Sequence, residues 1–204
     1  MNMSKPPERN APEEARPPYR RLSRRDLLSY WWALPAAGTL GAFSALGLRA
    51  RRILTEKSEA GAPHFTPGPA QAIAALDAFP AEWDSAEFSY AGIPAVLLRL
   101  PQAVPGGLEV AADGPRYFAA FSRLCTHQKC PVVVVRDREV LAFAYNYRAP
   151  ETSHPQLGCP CHYSVFDPLR AGQAVFGPAT RPLARIALEV RGSQIVAVGH
   201  EPQP

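Results

Sequence analysis

All four cysteines of this 204-residue chain lie in two short stretches, residues 125–130 and 159–164, and each stretch also contains one histidine. The spacing is C-x-H in the first stretch and C-x-x-H in the second. Thiolates and imidazoles are ligands that iron and zinc accept in proteins. Two loops with this content are able to present two thiolates to one metal ion and two imidazoles to another. The rest of the chain must therefore fold so that the two loops meet.

Two simpler interpretations use fewer of these residues. A tetrahedral zinc site of two cysteines and two histidines fits the same pairs, but it leaves Cys130 and Cys161 without a role. No finger-like helix pattern accompanies the pairs. Two structural disulfides would leave both histidines without a role. The arrangement with two metal ions is therefore favoured.

The two stretches resemble the cluster-binding motifs of the Rieske iron–sulfur proteins of quinol–cytochrome c reductases, which read C-T-H-x-x-C and C-P-C-H-x-S. The resemblance implies one Rieske-type [2Fe-2S] cluster per chain, held by four ligands: Cys125, His127, Cys159 and His162. It also implies a disulfide between Cys130 and Cys161. Rieske-type oxygenases share the C-x-H and C-x-x-H pairs but lack the bridging cysteines and need a second iron domain, so they resemble this chain less.

Two further positions match the family. The resemblance implies that Ser164 donates a hydrogen bond to a bridging sulfide and that the loop around Pro178 covers the cluster. Hydrogen-bond donors aimed at the sulfurs raise the reduction potential. Phe166 stands where the high-potential members have a tyrosine, so one donor is missing. We therefore expect a lower potential, suited to menaquinol as electron donor.

Two departures affect the surface near the cluster. Gln128 and Lys129 replace the Leu-Gly pair that the family usually has, which makes the predicted docking tip polar. The insert at residues 131–158 is longer than in many relatives. It fits a tolerated surface loop, and the alternative is a contact with a cytochrome partner.

The N-terminal quarter has a different character. Residues 1–19 contain five prolines and almost no apolar residues, which predicts a disordered cytoplasmic tail. Residues 20–52 combine a twin-arginine-like export signal with an uncharged run at 27–48, and this region is predicted to be a single transmembrane anchor. A buried core helix and a cleaved signal peptide are the alternatives.

The charges support this division and argue against nucleic acid as a partner. Residues 1–57 carry 11 Lys and Arg against 5 Asp and Glu, whereas the remainder of the chain carries 11 against 13. The positive net charge therefore belongs to the membrane-flanking region and does not form a phosphate-binding face.

The remaining residues divide into a connector and a β domain. Residues 53–82 are predicted to be a flexible neck, with a short helix over 71–78 as one option. Residues 83–204 are predicted to be mainly β and extracytoplasmic, with the cluster-binding part at about 123–180. Short apolar runs predict strands at 87–90, 95–100, 117–122, 132–135, 140–144, 185–191 and 194–198. The resemblance implies a Rieske fold, an antiparallel β-sandwich with an inserted cluster-binding subdomain.

These features predict an electron-transfer subunit of a bacterial cytochrome bc complex, anchored in the cell membrane with its domain on the periplasmic side. The implied partners are a cytochrome b subunit, quinol at the cytochrome b interface, and a c-type cytochrome. His162 is predicted to contact quinol, with His127 as the alternative. A second hypothesis is the small subunit of a molybdenum oxidase such as arsenite oxidase, and a third is a stand-alone Rieske ferredoxin.

Overall fold

The computed structural model describes residues 23–111, 114–148, 150 and 154–203. The chain divides into two compact units, Met1–Leu46 and Gly47–Pro204. The predicted disordered tail, residues 1–19, lies outside the described residues, as do residues 20–22 of the predicted export signal.

The predicted anchor region contains two helices, α1 (Arg24–Ser29) and α2 (Ala33–Thr55). A turn at residues 30–32 separates them, so the uncharged run at 27–48 does not form one continuous helix. α2 has glycine, threonine and serine among its apolar residues and arginines near its end. Within the described residues, no helix is both long and apolar enough to cross a membrane, so the predicted transmembrane helix is not confirmed.

The larger sheet is antiparallel throughout and has seven strands within the described residues. In chain order these strands are β1 (Thr66–Ala75), β2 (Ser85–Tyr90), β3 (Ile93–Leu100), β4 (Leu108–Val110), β5 (Arg116–Ser122), β10 (Arg185–Arg191) and β11 (Gln194–His200). Their spatial order is β1-β11-β10-β5-β3-β2, and β4 pairs with β5. Five of the predicted strands are confirmed here, with ends that shift by two residues at most.

The smaller sheet also contains only antiparallel pairs, among its four strands in the described part of the chain. These are β6 (Val133–Val135), β7 (Gln156–Cys159), β8 (Ser164–Asp167) and β9 (Gln173–Phe176). The chain enters this sheet after β5 and leaves it before β10, yet β5 and β10 pair with each other, with Arg185 opposite Phe121. The smaller sheet is therefore an insertion between two neighbouring strands of the larger one.

β3 connects the two halves of the core because both of its faces are buried. Val96 and Leu98 face one hydrophobic cluster, and Leu97 faces another. The first cluster is shared with the smaller sheet, since it includes Leu157 and Phe166. Each fully buried side chain of this size contributes about 1.5–3 kcal/mol to stability. The smaller sheet is thus fixed to the larger one by apolar packing.

The flexible-neck prediction is wrong over residues 66–75, which form β1 and pair with β11. Pro67 and Pro69 suggested a connector, but β1 is an edge strand, where a residue without an N–H is tolerated. The register of β1 shifts between Pro67 and Gln71, as expected around prolines. Ile73 packs against the second hydrophobic cluster. The suggested helix over 71–78 is also wrong, except for a 3-10 turn at Leu76–Ala78.

The predicted strand at 140–144 is wrong as well, because these residues belong to the helix α3 (Arg138–Ala144). The side chain of Asp137 accepts a hydrogen bond from the backbone N–H of Glu139 and so caps the helix. Leu141 is fully buried against Val135 and Val165. Capping and burial of one face therefore outweigh the β preference of the local sequence.

Candidate metal centre

The first loop of the centre follows β5 and is closed by its own backbone. The N–H of Cys125 donates to the carbonyl of Cys130 over 2.9 Å, and the N–H of Lys129 donates to the carbonyl of Cys125 over 2.7 Å. Cys125 is buried, whereas His127, Gln128 and Lys129 are exposed. The loop thus holds a thiol inside the domain and an imidazole at its surface.

The second loop joins β7 to β8. Cys159 is the last residue of β7 and pairs with Ser164, the first residue of β8, so residues 160–163 form a tight turn. Tyr163 adopts a left-handed backbone conformation with φ 59°. His162 is exposed, while Cys159 and Ser164 are buried. This loop repeats the division of the first, with a buried thiol and an exposed imidazole.

A disulfide between Cys130 and Cys161 joins the two loops, as the resemblance implied. Cys125 and Cys159 are free thiols, each 1% exposed. The Sγ atoms of Cys130, Cys159 and Cys161 lie within 4.8 Å of one another. Because two of these sulfurs are bonded to each other and are not thiolates, the trio is not a three-ligand metal site.

The four predicted ligands form two pairs in the folded chain, one of histidines and one of cysteines. The rings of His127 and His162 meet edge to face, with centroids 4.9 Å apart at an interplanar angle of 88°. The thiols of Cys125 and Cys159 are close enough to interact directly. The donor set is therefore two buried sulfurs and two exposed nitrogens, which fits an iron–sulfur cluster with thiolates on one iron and imidazoles on the other.

Burial raises the pKa of the Cys125 thiol to about 11, and the neighbouring Cys159 thiol adds to this rise. A thiol with such a pKa keeps its proton at neutral pH. Coordination to a cation reverses this preference, since a coordinating thiol is deprotonated outright. The site therefore needs the positive charge of a metal to hold a thiolate here.

A third loop, residues 177–181, closes over the other two. The N–H of Ala179 donates to Oγ of Ser164 over 3.1 Å, and Oγ1 of Thr126 donates to the carbonyl of Arg181 over 2.8 Å. Gly177 has φ 81°, and a Cβ there would lie 2.6 Å from Cα of Ser164. Only glycine permits this approach. The predicted cover around Pro178 thus lies directly against the second loop.

The Ser164 hydroxyl has a donor left to use. Its oxygen accepts from the N–H of Ala179, and among the described residues no acceptor takes its own proton. Phe166, two residues further, has no exposed surface and packs in the same cluster as Cys125 and Cys159. Its ring therefore contributes apolar shielding at the position where the resemblance implies a tyrosine hydroxyl in high-potential members.

The described part of the insert contacts the second loop through Tyr145. Tyr145, which follows α3, is only 5% exposed. A Cβ at Gly158 would lie 2.7 Å from the Tyr145 ring, so the ring rests on the backbone just before Cys159. The Tyr145 ring also meets that of Tyr163 edge to face at 6.3 Å. The insert is thus part of the scaffold of the site.

A β scaffold that joins two Cys/His loops by a disulfide defines an iron–sulfur electron-transfer protein. A family model for the Rieske [2Fe-2S] domain matches residues 73–187, more than half of the chain. The chain therefore belongs to the Rieske [2Fe-2S] family, and its cofactor is a [2Fe-2S] cluster.

Two curated relatives differ in what their names describe. Iodate reductase subunit IdrB of Denitromonas iodatirespirans is 31% identical over 148 residues, which are 64% of this chain and 70% of that protein. The cytochrome bc1 complex Rieske iron-sulfur subunit of Corynebacterium diphtheriae is 33% identical over 88 residues, which are 43% of this chain and 18% of that protein. The chain thus spans most of the first relative and less than a fifth of the second.

A solved structure with a similar chain is the soluble domain of Rieske protein II from Sulfolobus acidocaldarius. It is 20% identical, the match covers 65% of this chain and 78% of that one, and the TM-score is 0.45.

Sequence analysis missed three residues that shape the centre: Lys57, Thr126 and Tyr145. Thr126 lies inside the first motif, so its position was a signal, but its partner is 55 residues away. Lys57 and Tyr145 lie in segments whose composition predicts a neck and a surface loop. Neither carries a local signal, since their partners are defined only by the fold.

Proposed function

We propose that the chain is the electron-transfer subunit of a membrane quinol–cytochrome c oxidoreductase. We also propose that Cys125 and Cys159 hold one iron of its cluster and that His127 and His162 hold the other. The observation that carries this proposal is the pair of buried thiols combined with a pair of exposed imidazoles. When bound, the cluster supplies a one-electron acceptor and donor.

The exposed imidazoles give the tip its chemistry. His162 is exposed in a tight turn, with one ring nitrogen proposed to bind iron. Once its outer nitrogen has given up its own proton, that nitrogen would accept a hydrogen bond from a quinol hydroxyl and take the proton that quinol releases. Its exposure also lets that proton pass to water. His127 lies at the same tip and is the second candidate for this contact. The tip with both imidazoles would contact two partners. One is quinol bound to a cytochrome b subunit, and the other is a c-type cytochrome.

Phe166 supports menaquinol as the electron donor. A phenylalanine provides no hydroxyl for a sulfur, so the reduced state lacks one stabilising hydrogen bond. A lower potential matches a quinol that is itself a stronger reductant than ubiquinol.

A second candidate is an electron-transfer subunit for an oxyanion-converting enzyme of the molybdenum oxidase class. The relative from Denitromonas iodatirespirans favours it, because the match extends over 70% of that subunit. The exposed Gln128 and Lys129 also favour it, since a polar tip suits a wet protein interface better than an apolar quinone pocket.

Purification of the tagged full-length chain from solubilised membranes distinguishes the two candidates. Co-purified b-type haem, together with cluster reduction by a menaquinol analogue, supports the quinol complex. A large partner subunit that contains molybdenum and no b-type haem supports the oxyanion enzyme and contradicts the quinol complex.

Nitrogen hyperfine spectroscopy on protein with ¹⁵N-labelled histidine tests the ligands, and two coupled nitrogens are expected. Loss of one of them in His64→Ala, a control outside the loops, would contradict the assignment.

We further propose that the folded domain is exported by the twin-arginine route. Arg24 and Arg25 carry this proposal, and the disulfide between Cys130 and Cys161 supports it because such bonds persist in oxidising compartments. Replacement of both arginines by lysine is expected to retain the protein in the cytoplasm, as measured by cell fractionation. If the variant with both arginines replaced still reaches the periplasm, the twin-arginine route is contradicted. Carbonate extraction of the wild-type protein separately measures its attachment to the membrane.

A further inference from the structure

The segment that follows α2 contacts the third loop of the metal centre. The ammonium of Lys57 donates to the carbonyls of Gly177 and Ala179, the latter over 2.7 Å. The backbone N–H of Ser58 donates to the carbonyl of Thr180 over 2.8 Å. One side chain thus joins two carbonyls on either side of Pro178, and its neighbour joins a third.

These contacts act on a loop that is tied directly to the second cluster-binding loop. Ala179 donates to the buried Oγ of Ser164, and Gly177 lies against the Ser164 backbone without room for a Cβ. A cation that holds the carbonyls of Gly177 and Ala179 restrains the Pro178–Ala179 peptide that lies between them and carries the Ala179 N–H. Lys57 is half-buried, and burial lowers its pKa, in keeping with an ammonium that has lost part of its water.

We propose that Lys57 is a positioning residue for electron transfer, which holds the third loop over the cluster and raises the reduction potential with its positive charge. This inference rests on the proposed ligand set. A cation held near a redox centre stabilises the added electron, and the effect is larger where water is excluded. The fixed loop keeps the Ser164 hydroxyl in place, so its proton remains directed at the cluster.

Four variants of the full-length chain separate charge from geometry. Lys57→Met removes the charge and both hydrogen bonds, Lys57→Gln removes the charge but keeps a donor, and Lys57→Arg keeps the charge. Arg52→Met is the matched control, because Arg52 is an exposed cation five residues earlier whose ion pair, among the described residues, is with Glu56. The reduction potential is measured by titration with detection of the paramagnetic reduced state.

We expect Lys57→Met and Lys57→Gln to shift the reduction equilibrium about tenfold toward the oxidised form, which is about 59 mV for one electron. Lys57→Arg and Arg52→Met should stay close to wild type. Hydrogen exchange provides a second readout on the same samples. Amides of residues 177–181 are expected to exchange faster in Lys57→Met and to be unchanged in Arg52→Met.

The outcomes distinguish this inference from the proposed function. A wild-type chain that holds no cluster would overturn the ligand set and the role of Lys57 together. A loaded wild type whose potential and exchange are unaffected by Lys57→Met would overturn only the role of Lys57. An equal fall in potential in Arg52→Met would also overturn it, since the effect would then be a general one of surface charge. If Lys57→Met does not fold, Lys57→Gln provides the uncharged comparison.

Discussion

Replacement of Ser164 by alanine tests the hydroxyl that links the second and third loops. The Ser164 side chain is fully buried, and its oxygen accepts from the N–H of Ala179. The substitution removes an acceptor from a buried N–H, which costs about 1–3 kcal/mol of folding free energy. It also removes the hydroxyl proton that, by the resemblance to the family, is donated to a sulfur of the cluster.

The size of the redox effect follows from the strength of that second bond. A hydrogen bond to a charged acceptor contributes about 1.5–3 kcal/mol, and it is present in both redox states. If about half of it depends on the added electron, the difference is about 1 kcal/mol, equivalent to a fall of about 40 mV in a one-electron potential. Ser164→Ala should therefore lower both stability and potential.

The assay pairs a redox titration with urea unfolding, and Ser122→Ala is the matched control. Ser122 is also a fully buried serine, and its oxygen accepts from the N–H of Leu124 while its hydroxyl donates to Gln203. Ser122→Ala should cost similar stability without changing the potential. If Ser164→Ala is destabilised but keeps the wild-type potential, the hydroxyl does not face the cluster and the reasoning is refuted.

Three further substitutions test other parts of the molecule. Phe166→Tyr restores the missing hydroxyl and should raise the potential by about 40 mV, and voltammetry that finds no rise would remove the argument for a low-potential centre. Burial raises the pKa of Glu201, but the hydrogen bonds and charge of Arg185 outweigh this and leave it below its ordinary value of 4.5. The ion pair therefore stabilises the fold above about pH 4.5, and its contribution is lost as the pH falls through the lowered value. In urea unfolding at several pH values, Glu201→Gln should be less stable than wild type at pH 7 by about 1.5–3 kcal/mol, because the buried Arg185 loses hydrogen bonds to a charged group. The variant should lose less stability than wild type on acidification. Gly177→Ala should weaken cluster retention and lower the free energy of unfolding by at least about 1–3 kcal/mol. Gly92→Ala is the control, because Gly92 has a nearly identical φ of 79° but lies in open space, so this variant should lose less stability and retain the cluster. Equal losses of the two variants in thermal unfolding would show that the close approach of Gly177 to Ser164 is unimportant.

The segment between α2 and β1 is hydrogen-bonded to the β domain. Besides Lys57, the carbonyl of Gly61 accepts from Arg185, and the N–H of His64 donates to Glu201. Residues 57–64 are therefore fixed to the β domain at several points before β1 begins. A segment with these bonds is a docked part of the domain, although its composition alone suggests a free neck.

Errors in the sequence analysis share one cause. Residues 66–75 and 140–144 were assigned from local composition, but β1 exists because β11 offers it an edge, and α3 exists because Leu141 finds a buried site. In β3, by contrast, continuous apolar character predicted a strand correctly, since both of its faces are covered. Local sequence thus predicted β3, whose two faces are buried, and failed for β1 and α3, which depend on a neighbouring strand or a buried site.

The sequence by itself determined the chemistry of the centre, because metal preference depends on the kinds of ligand and their spacing, and both are properties of the two motifs. It also contained the disulfide partners and the serine, since these lie within the same motifs. Only the tertiary structure decided which groups surround the motifs. Lys57 and Ala179 are 122 residues apart, and Gly177 meets Ser164 without room for a side chain. Contacts of this kind depend on the antiparallel pairing that brings distant strands together, and no local pattern of residues records them.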